Sequence, residues 1–181
     1  MSVEELEREI KKELRASMNG VLSARMREAG MPFKLIFGVE LPRLQSIANE
    51  FDQDKNLANQ LWSENIRETK LLAIMLMPPK DFNIEVANSW AKTMVTAEEA
   101  QVLAMMLLSK TKQAEEISLA WLKEGNALQA TCACLCLRHL LMQGAELDAE
   151  NQVLPDCERL LTEANLHLKK AIQALKAAIE A

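Results

Sequence analysis

The chain has 181 residues, 49% of them apolar and 4% aromatic, with no tyrosine and a net charge of −5. That length suits one domain spanning 1–181 with a sizeable core, and the apolar share argues against a disordered chain. The acidic balance argues against a surface dominated by phosphate-binding charge, while leaving room for a local basic face.

Ser2-Val3-Glu4-Glu5 is a capping box that opens an amphipathic helix over about 2–17, with Leu6, Ile10 and Leu14 on one face. So charged a start has no apolar h-region, and no signal peptide is expected. Helices follow at about 20–29 and 41–51, the second carrying Pro42 in its first turn. Asp54 starts a helix over 55–64. The next, 65–77, has Glu68 three residues after Asn65, a pattern similar to a capping box, and Pro78-Pro79 must end it. Asn83 caps 83–94, and Thr96-Ala97-Glu98-Glu99 is a second capping box, opening 97–109. Helices over 112–123, 126–143, 148–162 and 165–180 complete the chain, with Gly30, Gly38, Gly125 and Gly144 punctuating ends. No stretch alternates long enough to be a strand, and no apolar run approaches the roughly 20 residues that span a bilayer. The expected fold class is therefore all-α.

A repeat organises the middle of the chain. A short helix ends near a tryptophan, and a more apolar helix follows after a tight turn. The units are Asn56–Met77 with Trp62, Asn83–Leu108 with Trp90, and Ala114–Leu141 with Trp121. Such pairs cannot bury their apolar faces alone, so they stack into an α-α superhelix of antiparallel helix pairs. The second helix of a pair, as in Leu71–Met77, is apolar nearly all round and suits a layer packed on both sides. The tryptophans are expected to pack between repeats rather than to stack on bases.

Cys132, Cys134 and Cys136 lie two apart on a helix, where such neighbours point about 200° from each other, so the three cannot converge on one metal, although Cys132 and Cys136 share a face that Cys157 or His139 could approach. With Cys157 they read as reduced core thiols of a cytoplasmic protein. Neither His139 nor His167 has an obvious nucleophile or carboxylate at helical spacing. No phosphate loop or zinc-protease motif is present, and neither a metal nor a cofactor is expected.

Two segments resemble a known family. Phe37-Gly38-Val39-Glu40-Leu41-Pro42-Arg43-Leu44-Gln45-Ser46-Ile47-Ala48 and Leu61-Trp62-Ser63-Glu64-Asn65-Ile66-Arg67-Glu68-Thr69-Lys70-Leu71-Leu72-Ala73 look like segments of the DNA alkylation repair family. Lys170–Leu175 is similar to its last helix. The resemblance runs from about residue 20 to the end, and it implies HEAT-like repeats and a DNA glycosylase. Family members excise alkylated bases with a carboxylate and aromatic side chains. The carboxylate stabilises positive charge left on the sugar, and the aromatic faces favour a cationic base. Carried over from Trp90, the family's next tryptophan falls on Thr96 and its catalytic aspartate on Ala100. Glu99 is adjacent but turned by about 100°, and belongs to the capping box. The family's arginine falls near Gln129 or Ala130, and its last aromatic near Ala174. The resemblance thus implies the fold without the residues of base excision.

Three readings follow. The first is a catalytically degenerate relative that binds duplex DNA through Arg67, Lys70, Lys110, Lys112, Lys169 and Lys170. Against it stand Glu64, Glu68, Glu98, Glu115 and Glu116, which could balance those cations, and an acidic stretch from Glu146 to Glu163. The second is a protein-interaction scaffold with no nucleic-acid partner. The third is an active glycosylase with Glu98 or Glu99 in the missing aspartate's role. No membrane partner is expected, and the sequence leaves the oligomeric state open.

Overall fold

The computed structural model describes residues 1–181, which divide into two compact units, Met1–Asp81 and Phe82–Ala181.

The first unit holds α1 (Val3–Ala16), α2 (Gly20–Glu28), α3 (Leu41–Ala48), α4 (Lys55–Trp62) and α5 (Arg67–Leu76). The Ser2–Glu5 capping box closes the start of α1, and Asn19 and Asp54 cap α2 and α4 through backbone N–H groups of Leu22 and Leu57. Helix α5 is the centre of this unit, with all ten of its residues buried and α3 and α4 packed on it. Ile10 and Leu14 bury the inner face of α1, which lies on α4.

Helix α5 does not start as its sequence suggests. Its N-cap is Ile66, which makes an isolated parallel bridge with Leu35, and no side chain caps the helix. That bridge moves the first helical residue to Arg67, so Glu68 is one position too early to complete a box with Asn65.

The second unit holds α6 (Ile84–Ala91), α7 (Ala97–Met106), α8 (Ala114–Glu124), α9 (Ala127–Met142), α10 (Leu154–Leu161) and α11 (Leu166–Glu180). Helix α9 is packed by α7, α8 and α11, which explains why it is apolar nearly all round. Helix α10 lies against α11 and α8, and Arg159 ties it to α8 by donating to the last carbonyls, of Leu122 and Lys123. The three repeats read from the tryptophans are the pairs α4–α5, α6–α7 and α8–α9, and α10–α11 adds a fourth. One element differs in detail. The expected helix over 148–162 is a π-helical turn, Ala149–Val153, running into α10. Pro155 has no N–H and fits only the first turn of an α-helix, so the α-helical part begins at Leu154.

Candidate nucleic-acid interface

The tryptophans are core. Trp62, Trp90 and Trp121 are 2–4% exposed. Trp90 meets Phe82 edge to face at 5.3 Å, and Trp121 donates its indole N–H to Asn88 Oδ1 at 2.7 Å. None offers a face to a base.

Of the six basic residues singled out in the sequence, two belong to the interior. Arg67 is 2% exposed; it donates to Val39 O at 2.9 Å and pairs with Glu68 at 2.8 Å. Lys70 is 5% exposed, with its ammonium 4.6 Å from the centre of the Trp62 ring and 6.0 Å from that of Phe33. The sequence pattern places both among the surface cations, but α5 is buried all round, so one turn of spacing on it leads nowhere near solvent. Lys110, Lys112, Lys169 and Lys170 are different. All four are exposed and make no ion pair. Lys110 and Lys112 sit in the turn between α7 and α8, and Lys169 and Lys170 on the first turns of α11. Lys176 is held by Glu158.

No local sequence pattern hints at what Glu68 does. It is fully buried and accepts the N–H groups of Phe37, Gly38 and Val39 at 3.0, 3.0 and 3.3 Å. A loop thirty residues away is thereby held by one carboxylate. Gly38 in that loop has φ +77°, and a Cβ there would lie 2.3 Å from Asn19 O and 2.7 Å from Ser23 N. The paired segments that carry the family resemblance are therefore a structural clamp, in which Arg67 and Glu68 fasten 37–39 against the start of α2.

The positions onto which the sequence resemblance carries the family's excision residues are occupied as follows. Thr96 caps α7, and Glu99 is 1% exposed, its Oε2 accepting the N–H groups of Val95 and Thr96 at 2.6 and 2.9 Å. Ala100 and Ala130 are fully buried. Gln129 closes the α9 capping box on Asn126, and Ala174 is half-buried in α11. Two clefts in the second unit, each of roughly 400 Å³, hold Asp156 and Glu163 respectively, and neither is lined by an aromatic residue.

Cys132, Cys134, Cys136 and Cys157 are buried and free. A hydrogen bond from Cys134 holds the Cys157 thiol below its usual range and raises that of Cys134, and burial pushes Cys136 up to about 11. No three His, Cys, Asp or Glu side chains are grouped to hold a metal ion, and no helix is long and apolar enough to cross a membrane. His139 is half-buried near the end of α9, and His167 is exposed.

The architecture defines the class: an all-α protein of HEAT-like antiparallel helix pairs. A solved structure described as "A new family of proteins related to the HEAT-like repeat DNA glycosylases with affinity for branched DNA structures" matches it with a TM-score of 0.78, at 18% identity, over 95% of this chain and 74% of that one. At that identity the likeness is one of fold. No curated protein gives a significant match. The sequence profile of the family described as DNA alkylation repair enzyme matches residues 6–177, and the chain belongs to that family.

Proposed function

We propose that this chain is a DNA-binding member of the DNA alkylation repair family that does not excise bases. The observation that carries the reading is the occupancy of the excision positions: Thr96, Ala100 and Ala174 stand there, and Glu99 closes a helix cap instead of facing a substrate. Without a fixed carboxylate, the positive charge that develops on the sugar finds no partner. Lys110, Lys112, Lys169 and Lys170 supply the phosphate contacts in this reading, since they are exposed and carry uncompensated charge. Branched DNA is a probe of choice because the similar solved structure is described as having affinity for it.

The test is fluorescence anisotropy with a linear duplex and a four-way junction across a salt series, beside an assay for release of methylated bases. Binding should weaken with a log–log slope of roughly −0.9 per phosphate contact, and no base should be released. Replacing the four lysines by glutamine should flatten the slope. No detectable binding at low salt would sink the reading; base release that Glu99→Gln abolishes would restore the glycosylase.

A second reading, a protein-interaction scaffold, draws on the pairing of Arg67 with Glu68 and on the acidic stretch Glu146–Glu163. It predicts salt-insensitive, negligible DNA affinity.

A further inference from the structure

The first unit presents a surface that neither the excision chemistry nor the four lysines explain. Helix α2 is mounted from one side only. Ser23, the single buried residue of the helix, donates its hydroxyl to Ile36 O at 2.7 Å, and Asn19 N–H donates to Phe37 O at 3.0 Å. The loop it rests on is the one clamped by Glu68, so the mount is rigid. The outward side carries two uncovered apolar side chains, Met18 at 60% exposure and Val21 at 66%. Arg15, Arg25 and Arg27 are the cations of this stretch, all exposed and none in an ion pair; Arg25 shares the face of Val21, and Arg27 lies one turn beyond Ser23. No acid lies between Glu13 and Glu28, and Glu13 is itself engaged by Arg43 at 3.1 Å. Val21 and Arg25 are one helical turn apart and share a face, and Met18 N–H donates to Arg15 O, which keeps the corner between α1 and α2 tight.

Two exposed apolar side chains and three unpaired guanidinium groups within one short stretch suit a particular ligand chemistry. The arginines ask for a polyanion, and bidentate donors of this kind fit phosphate. The apolar pair asks for an uncovered apolar face at the same place. A continuous duplex offers phosphates but hides its base-pair faces in the stack. A branch point offers both, because the stack is interrupted there, and methionine is among the side chains that wedge against opened base steps. We infer that the α1–α2 corner is the surface that distinguishes branched from continuous DNA, with Arg15, Arg25 and Arg27 on the phosphates and Met18 and Val21 against the exposed base pair. This inference rests on the DNA-binding reading above.

The experiment compares a four-way junction with a linear duplex of equal length for three proteins: the wild type, Arg15→Gln/Arg25→Gln/Arg27→Gln, and Met18→Ser/Val21→Ser. All five side chains are exposed, so melting temperatures should stay level. The triple variant should bind both probes more weakly, with the magnitude of the salt slope reduced by about 2 to 3. The double variant should keep its duplex affinity and lose about tenfold on the junction, the loss expected when a partly buried apolar pair is removed. If the wild type prefers the junction and neither variant changes that preference, the inference is overturned while the DNA-binding reading stands. A wild type that binds neither probe overturns the DNA-binding reading itself. Binding of anionic phosphatidylserine vesicles that both variants lose, with junction affinity unaltered, would assign the corner to a lipid surface and also overturn the inference.

Discussion

Glu68 shows how much of a fold can hang on one side chain. Its carboxylate accepts three backbone N–H groups and the Arg67 guanidinium, with no solvent to take over any of them. Glu68→Ala would take the carboxylate from a buried guanidinium and leave three buried backbone donors unmet, and should lower unfolding free energy by about 3 to 5 kcal/mol in a urea titration. Glu68→Gln keeps one acceptor oxygen and should lose less. A loss under 1 kcal/mol for the alanine variant would contradict the clamp. Gly38→Ala should be comparably harmful, because both atoms its Cβ would strike are backbone. At the same scale, Glu99→Gln should reduce stability by about 1 kcal/mol, as weakened helix caps do, and leave DNA affinity where it was.

At the scale of the element, the docking of α1 on α4 has an ionic side. Lys11 bridges Glu7 and Glu64, at 2.5 Å from Glu7. Burial raises Glu64 above the ordinary carboxylate range, and the hydrogen bond from Lys11 lowers Glu7. Lys11 is raised: burial opposes its charge, but the hydrogen bonds it donates to both carboxylates prevail. The signs differ group by group. Glu7, lowered, contributes stability above its ordinary value that is lost as pH falls through its folded value. Glu64, raised, does the reverse: its contribution is present at acid pH and disappears as pH rises through its folded value. Lys11 contributes until the pH climbs through its own raised value in the alkaline range. Lys11→Met leaves the two carboxylates facing each other, so its deficit against wild type should be largest at pH 7, about 1 kcal/mol, and shrink toward pH 4 as they come to share a proton. A deficit that is flat with pH would contradict this account.

Local signals made the elements legible. The boxes Ser2–Glu5 and Thr96–Glu99 are reciprocal bonds between residues three apart, so sequence spacing alone reveals them. Asn65–Glu68 has the same spacing and misleads, because the partners of Glu68 are about thirty residues away and no local pattern encodes them. Arg67 and Lys70 are the same case: helical spacing says which residues share a face, and only packing says whether that face sees water. The α1–α2 corner left one readable trace, the acid-free run between Glu13 and Glu28.

For the whole molecule, net charge and binding surface part company. A chain at −5 can still track phosphates, because the field near a cluster of unpaired cations decides affinity within a Debye length of about 8 Å. The family match runs from 6 to 177 without a break at Asp81, where the two compact units meet in sequence. We expect 1–181 to unfold as a single domain, with tryptophan fluorescence and far-ultraviolet circular dichroism giving coincident transitions. Two separated transitions would instead mark the units as independent.

The cysteines have a practical consequence. All four lie in α9 and α10, fully buried, and the first unit has none. A thiol reagent added to the native protein should therefore find nothing until those helices open. The rate of its uptake then becomes a clock for opening of the second unit alone, readable in mixtures and without any introduced label.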